Sequence, residues 1–207
     1  MQFSVKRVSF GKCVFDVSEE VYEPAEDSFL FAENLVVQKD TQVLDVGTGC
    51  GILGILAAEK DADVVAVDFN PYAIRCAKKN SVLNNVLDKM SFIQSGLFNA
   101  FNENAKFDLI LFNAPYLPSA ESEGDSWMVR SWAGGVKGRQ VIDQFISQAP
   151  SHLRTKGRIL LMQSTLANPE ETIRKFEENK LEATIKAERK LPFFETLILI
   201  EAKNKLG

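Results

Sequence analysis

The sequence predicts an α/β protein with a seven-stranded, mostly parallel sheet, helices on both faces and an antiparallel last strand. Short apolar runs typical of strands alternate with segments whose apolar residues recur at helical spacing. This alternation indicates a parallel sheet, because consecutive parallel strands need a crossover segment between them. A glycine-rich turn follows the first strand of this series, and the last two strand-like runs follow each other as an antiparallel pair would.

The elements are predicted in a regular order along the chain. A short strand-like lead-in at 8–15 precedes a loop and a helix whose apolar residues lie at 29, 30, 31, 35 and 36. Asn70 and Pro71 mark the start of a later helix, because Asn caps helix N-termini and Pro lacks only an N–H that has no partner there. The sheet strands are predicted at 42–46, 64–68, 90–94, 107–112, 158–163, 183–188 and 196–201, and the other helices at 52–59, 71–83, 140–153 and 169–179.

The length indicates one domain. The chain has 207 residues, of which 45% are hydrophobic. This is long enough to bury one substantial core and rather short for two. We therefore predict a single domain over residues 1–207, with 1–36 as an N-terminal lead-in. The polar, glycine-containing stretch at 119–139 is long for a connection in a compact domain, which favours a functional loop beside the active site.

The composition argues against several classes of protein. The formal net charge of −4 and the pI near 5.2 give no broad cationic field for nucleic-acid phosphates. Three cysteines without a Cys-x-x-Cys pair and one histidine leave few ligands for zinc, so no metal site is predicted. No apolar run reaches the roughly eighteen residues of a membrane helix, and no signal core is visible, so a reduced cytoplasmic protein is expected.

A glycine-rich turn lies directly after the strand at 42–46. Its spacing from Gly47 to Gly51 is Gly-x-Gly-x-Gly, whereas a dinucleotide fingerprint reads Gly-x-Gly-x-x-Gly and places a pyrophosphate at a helix N-terminus. Asp45 can receive an ammonium group, and Asp68 ends the next strand about where an acid meets ribose hydroxyls. An amino-acid head group and a ribose without phosphate describe S-adenosylmethionine, which is the predicted cofactor.

A second candidate site follows the strand at 107–112, where the chain reads Asn113-Ala114-Pro115-Tyr116. The side-chain carbonyl of Asn113 and the backbone carbonyl of Ala114 can each accept one N–H of a planar NH₂ group. This pairing favours a pyramidal nitrogen, whose lone pair can then attack a methyl group. Pro115 restricts the turn, and Tyr116 offers a flat face for stacking. We therefore predict methyl transfer to a planar nitrogen, with residues 113–116 as the catalytic residues.

These motifs resemble those of the HemK-type glutamine methyltransferases. The most specific segments are Tyr-Glu-Pro-Ala-Glu-Asp at 22–27 and Trp-Ala-Gly-Gly at 132–135. Few residues precede the first of these, which is typical of the short archaeal and eukaryotic branch. That branch methylates the glutamine of the Gly-Gly-Gln motif in class I translation termination (release) factors. The other resembling segments are 45–51, 68–71, 113–116 and 138–139, so the resemblance covers nearly the whole chain.

The resemblance implies a class I, Rossmann-like methyltransferase fold and a cytoplasmic role in translation termination. By analogy, Tyr22 and Ser28 close over the cofactor from the 1–36 segment, and Asn113 and Tyr116 handle the glutamine. The residues expected to contact S-adenosylmethionine are Tyr22, Pro24, Ser28, Asp45, Gly47, Thr48, Gly49, Gly51, Asp68, Phe69, Asn70, Ser95, Gly96, Leu97 and Asn113.

Two positions depart from the family pattern. The usual Asn-Pro-Pro-Tyr reads Asn-Ala-Pro-Tyr, with Ala114 at the second position. Ala114 still supplies a carbonyl, so the change affects rate or substrate range more than reaction class. The acid often found near the adenine amino group is replaced at 95–97, where Ser95 or backbone groups would contact adenine instead.

The resemblance also implies a small zinc-binding activator subunit that pairs with an edge strand of the sheet. Here that strand would be residues 90–94, whose apolar side chains would otherwise make an exposed edge prone to association. The alternative is a short edge that Asp88 and Lys89 protect from pairing.

Other functions stay open from the sequence. An adenine-N6 or guanine-N2 methyltransferase of nucleic acids would use the same Asn-x-Pro-Tyr geometry, with Arg130, Lys137 and Arg139 on phosphates. Overall acidity and three acids in the same stretch argue against it: Glu121, Glu123 and Asp125. Protein-lysine methylation would need a base to deprotonate the ammonium group, and no obvious base is visible. The non-enzymatic alternative is an idle subunit that binds S-adenosylmethionine, which only the Ala114 substitution supports.

Overall fold

The structure is a computed structural model that describes residues 5–120, 124 and 126–205. The strands are β1 (Val5–Phe10), β2 (Cys13–Ser18), β3 (Gln42–Val46), β4 (Asp63–Asp68), β5 (Met90–Gln94), β6 (Phe107–Asn113), β7 (Leu153–Ser164), β8 (Leu181–Lys190) and β9 (Thr196–Asn204). The helices are α1 (Glu26–Glu33), α2 (Ile52–Ala58), α3 (Pro71–Leu83), α4 (Trp127–Trp132), α5 (Gln140–Gln148) and α6 (Pro169–Glu178).

Seven strands form one sheet in the order β5-β4-β3-β6-β7-β9-β8. In this order the first five strands, β5, β4, β3, β6 and β7, pair in parallel, and β9 lies antiparallel to both β7 and β8. The predicted mostly parallel sheet with an antiparallel last strand is therefore confirmed. The chain runs outward from β3 to β5 and then crosses to β6 on the other side of β3. In open α/β sheets, ligands bind at the carboxyl ends of the strands where the order reverses in this way.

The central strands provide a rigid base for that edge. β3, β6 and the second half of β7 are almost continuous runs of buried residues, as expected for strands covered on both faces. Residue pairs such as Val46 with Phe112 align the ends of β3 and β6. No helix within the described ranges is long and apolar enough to cross a membrane.

The N-terminal lead-in differs from the prediction. The single strand expected at 8–15 is instead a hairpin of β1 and β2, because Gly11 adopts a φ of 57° and reverses the chain. Two asparagines of α3 fix this hairpin through its backbone. Asn80 Oδ1 accepts a hydrogen bond from the Asp16 N–H at 2.9 Å, and Asn84 Nδ2 donates to the Val14 carbonyl at 2.7 Å. The hairpin thereby delivers the segment that follows it, residues 21–28, to the carboxyl edge of the sheet.

The segment from 119 to 148 also differs from the prediction. The stretch expected to be a loop contains α4, because Ser126 accepts a hydrogen bond from the Val129 N–H and caps the helix. The three acidic residues noted above, Glu121, Glu123 and Asp125, lie outside the described residues. The helix expected at 140–153 ends at Gln148 and continues as a 3-10 turn, since Pro150 has no N–H to continue the α-helical pattern.

Candidate active site

A cavity of about 780 Å³ opens at the carboxyl ends of β3, β4 and β6. Its walls come from residues 21–28, from the turns that follow these three strands, and from α4. Every residue predicted from the sequence to belong to the site lines this cavity except Gly51. Segments that are far apart in the chain therefore meet at the point where the sheet order reverses.

The glycine-rich turn brings backbone, rather than side chains, to the cavity wall. Gly47 and Gly49 have φ values of 64° and 57°, in the left-handed region that favours glycine. A Cβ on Gly47 would lie 3.4 Å from the Phe112 ring. The Thr48 N–H donates to the Val67 carbonyl at 3.0 Å, which ties the turn to β4.

Gly51 has a different role from the one predicted. It does not line the cavity, and its φ of 90° lets the chain turn into α2. A Cβ at this position would lie 3.1 Å from the Ala77 Cβ and 3.1 Å from Ile55 Cδ1. Gly51 therefore permits close packing of α2 against α3, and its assignment as a cofactor contact stays a prediction that the cavity lining does not support.

Asp45 is buried beneath the glycine turn at the end of β3. Its Oδ2 accepts hydrogen bonds from Thr48 Oγ1 at 2.6 Å and from the Gly54 N–H at 3.0 Å. Burial raises the pKa of this carboxyl group to about 7, although both hydrogen bonds favour the charged form. An ammonium group placed beside Asp45 would restore its charge, so this end of the cavity suits a cationic ligand group.

Asp68 links the end of β4 to the same turn. Its Oδ2 accepts a hydrogen bond from the Gly49 N–H at 3.0 Å, and its Oδ1 accepts one from the Asn70 N–H at 2.9 Å. Burial raises the pKa of Asp68. The side chain of Asn70 serves the fold, because it caps α3 through the Tyr72 N–H and donates to the Glu20 carbonyl at 2.8 Å. Asp68 is thus a buried carboxyl group in the cavity wall at the end of β4.

The other end of the cavity is organised by Asp27. Asn113 Nδ2 donates to Asp27 Oδ2 and to Ser28 Oγ, both at 3.2 Å. The hydroxyl groups of Tyr116 and Tyr22 donate to the two oxygens of Asp27 at 3.4 Å and 3.3 Å. Burial, and next the charge of Asp27, raise the pKa of both tyrosines, so that they stay protonated as donors.

The remaining polar atom of Asn113 has no partner among the described residues. Its Oδ1 is buried in the cavity wall and accepts no hydrogen bond from any of them. Buried polar atoms are nearly always paired, so an unpaired one in a cavity indicates a ligand donor. Next to it, the Ala114 N–H donates to the Met162 carbonyl at 3.3 Å, which ties the chain directly after β6 to β7.

The Trp-Ala-Gly-Gly segment, residues 132–135, forms backbone hydrogen bonds to the residue that follows Tyr116. The Leu117 N–H donates to the Trp132 carbonyl at 3.1 Å, and the Gly134 N–H donates to the Leu117 carbonyl at 2.8 Å. A Cβ on Gly138 would overlap the Tyr116 carbonyl oxygen. Residues 132–138 therefore hold the Asn-x-Pro-Tyr turn at 113–116 in place, which gives the Trp-Ala-Gly-Gly segment a structural role next to that motif.

Sequence reasoning missed two residues of the site. Asp27 looked like an ordinary helix cap, because nothing in the local sequence shows that Asn113 and two tyrosines converge on it. Trp127 lay in a stretch without apolar periodicity. In the structure its ring lies 5.5 Å from that of Phe69 and 6.5 Å from that of Tyr72, so α4 walls the cavity beside β4.

The chain matches the family described as the methyltransferase small domain over residues 23–129. It is 44% identical over 182 residues to a Methanocaldococcus jannaschii protein provisionally named a protein N5-glutamine methyltransferase, covering 87% of this chain and 90% of that one. It is 31% identical over 176 residues to the human methyltransferase HEMK2, covering 80% of this chain and 81% of HEMK2.

A solved structure is also similar over most of the chain. It is the E. cuniculi Mtq2-Trm112 complex, described as responsible for the methylation of the translation termination factor eRF1. The TM-score is 0.67 at 25% sequence identity, and the match covers 90% of this chain and 99% of the other. The HemK-type resemblance read from the sequence is thereby confirmed. The chain belongs to the methyltransferase small domain family and is a methyltransferase.

Proposed function

We propose that this chain uses S-adenosylmethionine to methylate the side-chain amide of the glutamine in the Gly-Gly-Gln motif of a class I translation release factor. The observation that carries the proposal is Asn113 Oδ1, an unpaired buried acceptor in a cavity of about 780 Å³. The names of two similar proteins, one a protein N5-glutamine methyltransferase and one linked to eRF1 methylation, support the choice of substrate.

The cofactor end of the cavity fits S-adenosylmethionine. Asp45 would receive the methionyl ammonium group, and Asp68 would accept from the ribose hydroxyls. The Gly47 and Gly49 backbone leaves room for a ligand where side chains would collide. When bound, S-adenosylmethionine supplies an electrophilic methyl group. The cavity volume lies within the range of roughly 300–1,000 Å³ that small ligands occupy.

The acceptor end fits a primary carboxamide. Asn113 Oδ1 would accept one N–H of the glutamine side chain, and the Ala114 carbonyl would accept the other. Holding both N–H groups below the amide plane favours the pyramidal nitrogen of the transition state over the planar ground state. The product nitrogen loses its extra proton after transfer, so no residue has to act as a strong base.

A transfer assay with labelled S-adenosylmethionine tests the proposal. The substrates are a class I release factor and its variant with Ala in place of the Gly-Gly-Gln glutamine. We expect label on the unaltered factor only, and we expect Asn113→Ala to lower the rate of labelling by about 10²–10³-fold. Equal label on both factors contradicts the proposed acceptor. Absence of label from both, with cofactor binding demonstrated, contradicts the proposed substrate.

The nucleic-acid alternative gains no support from Arg139, one of the three basic residues that it requires. Arg139 is buried and donates through Nη1 to the Ala167 carbonyl and to Thr172 Oγ1, and through Nη2 to Asp143 Oδ1 at 2.7 Å. A guanidinium engaged in this way tethers the start of α5 to α6 and does not reach a phosphate. No observation favours a second function over glutamine methylation.

We also propose that β5 pairs with a small activator subunit. β5 ends the sheet and pairs with β4 alone among the described strands. Phe92 and Ile93 are half-buried on this edge, which leaves apolar area for an added strand to cover. The Mtq2 protein is described in complex with Trm112, which agrees with a partner of this kind. Co-expression followed by co-purification, compared with a Phe92→Lys variant, tests the pairing; equal recovery with both would contradict it.

A further inference from the structure

The turn between β8 and β9 exposes two aromatic side chains. Phe193 and Phe194 are 96% and 103% exposed, and neither lines the cavity. Their φ values are 63° and 65°, in a region that aromatic residues seldom adopt. The turn is nevertheless well defined, because the Leu191 N–H donates to the Glu195 carbonyl at 2.8 Å. The chain thus holds two large apolar side chains in water in an unfavourable backbone conformation.

This turn lies beside the acceptor end of the cavity. Arg189, near the end of β8, pairs with Glu26 at 3.0 Å and with Glu33 at 2.6 Å, which fixes the turn against α1. The same helix carries the Asp27 and Ser28 that contact Asn113. Burial and the charge of Asp27 raise the pKa of the Tyr22 and Tyr116 hydroxyls, and the charge of Glu195 raises it further. This effect agrees with the position against α1 that the two ion pairs of Arg189 give to the end of β8.

A small ligand in the cavity would leave Phe193 and Phe194 uncovered, since both side chains lie outside it. A macromolecule that inserts one side chain next to Asn113 would extend past the rim of the cavity and could reach them. Each aromatic side chain offers roughly 150–250 Å² for burial. Together they would supply a substantial share of the roughly 800 Å² that one partner contributes to a standard interface.

We infer that Phe193 and Phe194 dock the protein substrate, covering an apolar surface of that protein next to the loop that presents the acceptor glutamine. This inference rests on the proposed function. Glu195 forms no ion pair with another residue in the described ranges, so the docked surface is expected to carry a basic side chain beside its apolar one. A third exposed apolar side chain, Leu166, follows β7 at the same edge of the sheet and is 49% exposed. It adjoins Thr165, whose hydroxyl accepts a hydrogen bond at 3.1 Å from the N–H of Thr196, the residue after Glu195.

The test is the double variant Phe193→Asn/Phe194→Asn. Asparagine tolerates positive φ, so the turn is retained while the aromatic rings are removed. The matched control is Ile185→Ser, which removes a 48% exposed apolar side chain from the middle of β8. Steady-state kinetics with the release factor give KM and kcat, and calorimetry gives the affinity for S-adenosylmethionine.

We expect KM for the release factor to rise about tenfold in the double variant, with kcat and cofactor affinity unchanged and Ile185→Ser like wild type. An unchanged KM overturns the inference and leaves the proposed function standing. The inference is also overturned if sedimentation shows a dimer for the wild type and a monomer for the double variant, because the turn would then bind a second copy of the chain. If the wild type methylates no release factor, the proposed function itself fails and the inference fails with it.

Discussion

The side-chain amide of Asn113 has two orientations, which exchange its oxygen and its nitrogen. The neighbouring carboxyl group of Asp27 decides between them, because a carboxylate only accepts hydrogen bonds. With Nδ2 directed to Asp27 and Ser28, Oδ1 is left as the acceptor in the cavity wall. The carboxyl group of Asp27 therefore determines whether Asn113 presents an acceptor to an NH₂ group.

Replacing Asn113 with Ala removes the acceptor but leaves the cofactor end intact. We expect kcat to fall by about 10²–10³-fold, the effect typical of losing one oriented polar partner, with cofactor affinity within a few-fold of wild type. Single-turnover kinetics and calorimetry measure the two quantities separately. Full turnover by this variant would indicate that the site acts through other residues or that the chain supports another enzyme.

Replacing Asp27 with Asn allows the side-chain amide of Asn113 to adopt either of its two orientations, because the new side chain can donate a hydrogen bond to Asn113 Oδ1. We expect kcat to fall about tenfold, equivalent to roughly 1.4 kcal/mol, with a smaller change in KM. The control is Glu26→Gln, at the preceding exposed position, which loses only an ion pair with Arg189. If both variants had wild-type kcat, Asp27 would have no part in orienting Asn113.

The raised pKa of Asp45 links cofactor binding to pH. Because its folded value of about 7 lies above the ordinary value, the contribution of Asp45 to stability is present below about pH 4 and is lost as pH rises through about 7. Cofactor affinity should change in the opposite direction, since the ammonium group needs an ionised partner.

We expect affinity for S-adenosylmethionine to rise between about pH 5.5 and about pH 7.5 in the wild type, and to be weaker and nearly constant in Asp45→Asn. Adenosine, which has no ammonium group, is the matched ligand control and should show no such rise. Calorimetry across this range measures both. A parallel pH dependence for the two ligands would show that Asp45 does not bind the head group.

At the scale of secondary structure, local signals were sufficient where they were strong. β3, α3 and β5 begin and end at the predicted residues, because apolar runs are bounded by clear stop signals such as Asn70 and Pro71. The β1–β2 hairpin was not separated, since one glycine carries the whole turn. α4 was missed because the six residues of Trp127–Trp132 are too few to establish a helical period; its position depends on Phe69 and Tyr72, which are distant in sequence.

The support beneath the Tyr116 turn is testable with two glycines. Gly138→Ala would place a Cβ against the Tyr116 carbonyl at a φ of 68°. Gly11→Ala is the matched control, since its φ is 57° and a Cβ there meets nothing within 4 Å. We expect Gly11→Ala to lower the free energy of unfolding by roughly 1–2 kcal/mol without changing kcat, and Gly138→Ala to lower it further and to reduce kcat. Urea unfolding and initial rates measure these; equal effects of the two would contradict the supporting role of Gly138.

At the scale of the whole molecule, the site is an assembly of short segments from across the chain. The order of elements predicted the sheet, and the sheet predicted which ends would meet, so most of the cavity lining could be named from the sequence. The roles of Asp27 and Gly51 could not, because one depends on the convergence of Tyr22, Asn113 and Tyr116 on its carboxyl group and the other on the packing of α2 against α3. Docking of a protein substrate likewise involves a turn, residues 191–195, far from every motif.

The position of the transferred methyl group tests the central claim most directly. Tandem mass spectrometry of a release factor incubated with this enzyme and S-adenosylmethionine would locate the modified atom. The account predicts one added methyl group on the side-chain amide of the Gly-Gly-Gln glutamine, formed far more slowly by Asn113→Ala. A methyl group on a lysine would contradict it. So would an unmodified glutamine if the same enzyme transferred the methyl group to a nucleic acid added in parallel.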